Sequence, residues 1–138
     1  YMKVSWEDFN KRKKEDTIEH IYPQSPNDIY WKNRFGHLKP SEKRQYLNSL
    51  GNLLLLNRSK NSKLQNYDFD KKKCLLNKDG KEIGYYNGSY SEIEVSKHKE
   101  WTPDEIKKRG LLMLQFMEER WKFSFDNWNI SKEDILFP

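Results

Sequence analysis

The chain has 138 residues, of which 35% are apolar, 14% aromatic and 34% charged, and its 26 basic side chains outnumber 21 acidic ones for a net charge of +5. That length suits one domain with a real core, since a domain of this size buries roughly 68% of the surface its unfolded chain exposes, and five Trp residues argue against disorder despite a mean hydropathy of −1.12. A single cysteine, Cys74, excludes an intrachain disulfide, and an apolar run of four residues such as Leu53 to Leu56, which no other run exceeds, is far too short for a membrane span. A cytoplasmic protein with an anionic partner such as nucleic acid is the expectation.

Residues 1–16 are polar and charged with isolated aromatics, Trp6 and Phe9, compatible with one helix or with an ordered arm. The opening Tyr and the charged KRKKED stretch over residues 11–16 suggest a fragment of a longer protein. Thr17 to Tyr22 (TIEHIY) then reads as a short strand, rich in β-branched residues and bounded by Pro23 and Pro26. From Pro40 the spacing of Tyr46, Leu47 and Leu50 predicts a helix, with Gly51 placed where a left-handed cap residue is wanted. NLLLL is too short for an independent helix and fits a second buried strand that pairs with the first.

Ser59 is the expected N-cap of a short helix through Lys63 and Leu64, and a second helical stretch is expected from about Asp68 to Leu76. Asp79-Gly80 and Asn87-Gly88 mark loops or hairpins. The clearest helix starts at WTPDEI: Thr102 and Glu105 predict a capping box, Pro103 suits the first helical position, and Trp101 is placed to staple onto Ile106. Ile106, Met113, Leu114, Met117 and Trp121 recur at three- and four-residue steps and predict a core-facing stripe. Phe123 to Pro138 keep further aromatics and are expected to pack as a tail.

Two strands followed by a helix form a unit in which the helix can cross the strand pair, bringing Glu19, His20 and Asn61 to one cleft, with Asn52 at the head of the second strand. A carboxylate plus a carboxamide suits a hard cation such as Mg²⁺, which keeps several waters. An imidazole with an ordinary pKa near 6.5 is mostly neutral at pH 7 and can take a proton from an attacking water.

These residues resemble the HNH, or His-Me finger, endonucleases. IEHIYPQS is similar to their first motif, an acidic residue before the catalytic His followed by HxxP, and LGNLLLLNRSKN to the second strand with its middle Asn and a metal-binding Asn nine residues on. The fuller similarity is to the C-terminal nuclease domain of GmrSD-type modification-dependent restriction enzymes, through EHxxPQ, a Trp soon after, LGNLLLL, an NSKL helix and a later W-T-x-x-x-I-x-x-R helix. The resemblance implies an α+β fold with a ββα-metal core (about residues 17–76) and a supporting helix (about 102–122), one domain of a longer chain.

It further implies a DNA endonuclease that restricts foreign or modified DNA: His20 as general base, Glu19 and Asn61 holding one Mg²⁺ or Mn²⁺ ion, and Asn52 orienting His20 or bracing the loop. Many members carry Asp where this chain has Glu19, one methylene longer. Candidate DNA contacts are Gln24, Arg58, Lys60, Lys63, Lys71 and Lys72, with Lys73 and Ser25 beside them. His37 and His98 read as surface residues, and Arg109 matches a family position that would either brace the site or reach a phosphate. Other domains of the same longer chain are expected partners, and no membrane. The rival readings are a non-cleaving nucleic-acid-binding module with an HNH-like fold and a structural zinc domain; the latter lacks ligands, since one Cys and three scattered His do not make the usual four-ligand site.

Overall fold

The computed structural model describes residues 16–138, and the helix or arm expected over residues 1–16 lies outside them, apart from the backbone of Asp16. Its first element is the strand β1 (Asp16–His20), which pairs antiparallel with β2 (Leu53–Asn57). Thr17 stands opposite Leu56, Glu19 opposite Leu54 and His20 opposite Leu53. Side chains alternate across a strand, so Leu54 and Leu56 are buried while Leu55, opposite Ile18, is 71% exposed. Glu19 therefore shares the inner face with Leu54, and burying a carboxylate there demands partners. The long connection between the strands carries α1 (Ile29–Phe35) and α2 (Pro40–Asn48). After β2 come α3 (Arg58–Leu64), α4 (Phe69–Lys73), α5 (Tyr90–Ser96), the long α6 (Pro103–Trp121) and α7 (Lys132–Leu136). The described chain is thus α+β: one two-stranded sheet among helices.

Aromatic residues fill the core, with Trp31, Phe35, Phe69, Tyr85 and Trp101 all at most 1% exposed. Tyr22 stacks on Phe35 at 3.8 Å between ring centroids, and Trp31 Nε1 donates to the Tyr67 carbonyl at 3.1 Å. Ile21 and Leu64 close the core beneath β1 and α3.

Several local expectations are corrected. Gly51 is no left-handed cap: α2 ends at Asn48, and Gly51 sits in a 3-10 turn, Leu50–Asn52, with negative φ. Glycine is required there because a Cβ would stand 1.9 Å from the Ile106 carbonyl oxygen, so the turn packs directly against the backbone of α6. The N-cap of α3 is Asn57, whose side chain accepts from Ser59 N–H, rather than Ser59. Helix α4 stops at Lys73 and not near Leu76, which instead bridges to Glu82 around a turn with Gly80 at φ 73°. Asn87-Gly88 forms no left-handed turn, and the Ser89-Glu92 capping box behind it starts α5, a helix that the turn-rich composition hid. Thr102 makes no capping hydrogen bond to the backbone; its hydroxyl bonds the Glu105 carboxylate directly. On α6, Ile106 and Leu114 are buried as the stripe predicts, but Trp121 is 61% exposed because the packed part of the helix ends before it. The tail contains α7, whose Leu136 is buried against Gly110 of α6.

Candidate active site

At the C-terminal end of β1 the chain bends at Ile21–Tyr22 and runs into the buried Pro23. An open cleft of about 240 Å³ lies there, lined by Ile18, Glu19, His20, Pro23, Gln24 and Asn61 together with Gln65 and Asn66. Glu19 and His20 point to alternate sides of the strand, yet both border the cleft because it opens at the strand's end. Asn61 comes from α3, which packs on both strands. A larger, mainly apolar cavity of about 470 Å³ between α3 and residues 75–83 contains none of these three.

Asn61 is fixed by its amide nitrogen, which donates to Thr17 Oγ1 at 2.8 Å and to the Ile18 carbonyl at 3.2 Å. Its side-chain oxygen, Oδ1, accepts no hydrogen bond from the described residues. Glu19 is only 4% exposed, and its Oε1 accepts from Lys72 Nζ at 2.7 Å and from the Tyr85 hydroxyl at 2.9 Å. Its Oε2 accepts no hydrogen bond from the described residues. Glu19 Oε2 and Asn61 Oδ1 are thus two uncommitted hard oxygens on residues that line the cleft. Among the described residues no three His, Cys, Asp or Glu side chains cluster as a metal site.

His20 is half-buried, and burial lowers its pKa below the ordinary 6.5. The Glu19 carboxylate opposes that shift, the Lys72 ammonium adds to it, and a polar contact with the Asn48 side chain opposes it. The result is an imidazole that is neutral at pH 7, able to accept a proton.

Asn52 is fully buried, and its side-chain hydrogen bonds go to groups other than the imidazole. Its Oδ1 accepts from Tyr22 N–H at 2.7 Å and from Trp101 Nε1 at 3.2 Å. Its Nδ2 donates to the carbonyls of Tyr22 and Leu47, both at 3.0 Å. The Asn52 carbonyl in turn accepts from Ile21 N–H at 3.0 Å. Asn52 thus braces the loop that follows His20. Arg109, half-buried, does the same for β2: its guanidinium donates to the carbonyls of Gly51 and Leu53 at 2.7 and 2.9 Å.

Residues 1–116 match the model of the family described as GmrSD restriction endonucleases, C-terminal domain. The chain belongs to that family. No curated protein and no solved structure matches it significantly. Membership makes it a domain of the restriction-endonuclease type, a nuclease.

Within this GmrSD C-terminal domain the basic residues divide sharply. Lys72 is no DNA contact: it is 0% exposed, and its Nζ is spent on Glu19 and on the carbonyls of His20 and Ile21, both at 3.1 Å. Lys73 is buried too, bonded to the His98 carbonyl and paired with Asp70. The sequence carried a signal for both, since Phe69, Lys72 and Lys73 share one face of a helix whose Phe69 is core. Lys60 is tied to Glu92 and the Asn87 carbonyl. Gln24, Arg58, Lys63 and Lys71 are exposed, and Lys71 also lies 3.6 Å above the Tyr67 ring. His37 is exposed, whereas His98 is half-buried edge-on against Trp101, with its pKa lowered by burial. Tyr85, the partner of Glu19, had no motif to flag it, and Trp101 belonged to the helix-start motif, where nothing local showed that its indole N–H would reach Asn52. Among the described residues no helix is long and apolar enough to cross a membrane.

Proposed function

We propose that this domain is a metal-dependent DNA endonuclease of the His-Me finger type, with β1, β2 and α3 as its ββα-metal core. The observation that carries the reading is the convergence of Glu19, His20 and Asn61 on one cleft, from a strand and a helix separated by 37 residues of chain. His20 is the general base: neutral at pH 7, it takes a proton from the water that attacks the scissile phosphate. Glu19 and Asn61 would hold one Mg²⁺ or Mn²⁺ ion, which when bound would supply Lewis-acid stabilisation of the charge growing on the phosphate and the leaving oxygen. The oxygen-only donor set suits a hard cation that keeps most of its waters. Asn52 acts as a positioning residue through the Tyr22 backbone. Gln24 at the cleft and Arg58, Lys63 and Lys71 beside it contact the DNA backbone without reading sequence. The biological setting is restriction of foreign or modified DNA in the cytoplasm, licensed by other domains of the same longer chain.

Incubation with plasmid and Mg²⁺ or Mn²⁺, with and without chelator, tests this. Chelator-sensitive cleavage is expected, and His20→Ala should lower its rate by about 10² to 10⁴ while leaving the melting temperature unchanged. Because burial lowers the His20 pKa, the rate should hold as pH falls towards 6.5 and decline only below it. A folded His20→Ala protein that cuts at the original rate would overturn the assignment, and gel retardation without cleavage by either form would favour a binding module.

A further inference from the structure

Lys72 stands out as a buried cation that the cleavage chemistry does not use. An ammonium has three N–H donors, and here all three have acceptors: Glu19 Oε1 at 2.7 Å, the His20 carbonyl at 3.1 Å and the Ile21 carbonyl at 3.1 Å. No water competes, because the side chain is 0% exposed. Tyr85, also fully buried, brings its hydroxyl to the same Oε1 at 2.9 Å.

We propose that Lys72 is an internal counter-ion that positions Glu19 for a divalent cation by reserving Oε1, so that the carboxylate serves the cleft through Oε2 alone. The inference deepens the endonuclease reading and rests on it. Two donors on one oxygen, both anchored in the core, fix the rotation of the carboxylate and bar it from gripping an ion with both oxygens. One-oxygen ligation suits small octahedral ions, Mg²⁺ and Mn²⁺, better than Ca²⁺, which commonly takes both oxygens of a carboxylate. The same ammonium holds the two carbonyls of residues 20 and 21, so the peptide bearing the base and the ligand carboxylate are set by one group. It also keeps Glu19 neutralised before any ion arrives, since a buried carboxylate without a partner is strongly unfavourable.

Removing that charge should make the site crave another cation. The test is titration with MnCl₂ and CaCl₂, and thermal melting in chelator and in Mn²⁺, for the wild-type chain, Lys72→Met, and Lys72→Met combined with Glu19→Gln. Lys72→Met should melt below wild type in chelator, recover most of the loss in Mn²⁺, bind Mn²⁺ about tenfold or more tightly, and lose discrimination against Ca²⁺. The double variant should melt above Lys72→Met in chelator and ignore Mn²⁺. A purely structural lysine would give the same loss with and without Mn²⁺, and that result would overturn the proposal, as would a double variant no more stable than Lys72→Met. If Lys72→Met does not fold in chelator, its refolding in Mn²⁺ is the readout: recovery supports the proposal and failure overturns it. A wild-type chain that neither binds Mn²⁺ nor cuts DNA would remove the endonuclease reading, while the double variant still decides in chelator whether Lys72 neutralises Glu19.

Discussion

Asn52 and Asn61 are the same residue nine positions apart, and the fold uses them in opposite ways. At Asn52, by the junction of β1, β2 and α6, both polar atoms of the carboxamide are buried and satisfied, with four hydrogen bonds between them. At Asn61, which lines the cleft, only the nitrogen of the carboxamide is committed and its oxygen accepts no hydrogen bond from the described residues. A side chain with all its bonds made can position others but has nothing left to offer a ligand. One with a spare hard oxygen beside a carboxylate and an imidazole can.

The largest expected break in that contrast is Asn52→Ala. It strands the Tyr22 N–H, the Tyr22 and Leu47 carbonyls and the Trp101 indole N–H in the core, at a cost of roughly 3 kcal/mol or more, measured by urea unfolding; a loss under about 1 kcal/mol would show that the brace is dispensable. Asn61→Ala should be the mirror image. Its stability cost is about 1 kcal/mol, from two part-exposed hydrogen bonds, while Mn²⁺ binding measured by titration weakens markedly. Equal stability losses for the two variants would erase the distinction. The smallest effect belongs to the exposed cations: replacing Arg58, Lys63 and Lys71 together by Gln should leave melting unchanged and flatten the salt dependence of DNA binding by about 0.9 per charge that contacts a phosphate. A slope that does not change would place the DNA on another face.

Much of the local fold was legible in the sequence because it follows from short-range chemistry. The paired strands appear in TIEHIY and NLLLL through β-branched and apolar runs, and α6 through its Thr-Pro start and its three- and four-residue apolar steps. Residues 19, 20 and 61 were legible through the motifs that the chain shares with the nuclease family, and not through local chemistry, since 42 positions separate Glu19 from Asn61. What escaped notice depends on distant packing. Gly51 looked like a helix cap, and only the approach of α6 from 55 residues away shows that it is a contact glycine. Lys72 looked like one more member of a basic run, because charge is read locally while burial is decided by Glu19 and Tyr85, elements 53 positions before it and 13 after it. Helix α5 was masked by its Gly and Asn neighbours.

Crystals of the chain grown or soaked with Mn²⁺ and examined by anomalous diffraction test the central claim most directly. One peak is expected in the cleft, within coordination distance of Glu19 Oε2 and Asn61 Oδ1, with His20 beside it and Lys72 still on Oε1. A cleavage-competent protein whose Mn²⁺ sits away from residues 19 and 61 would contradict it.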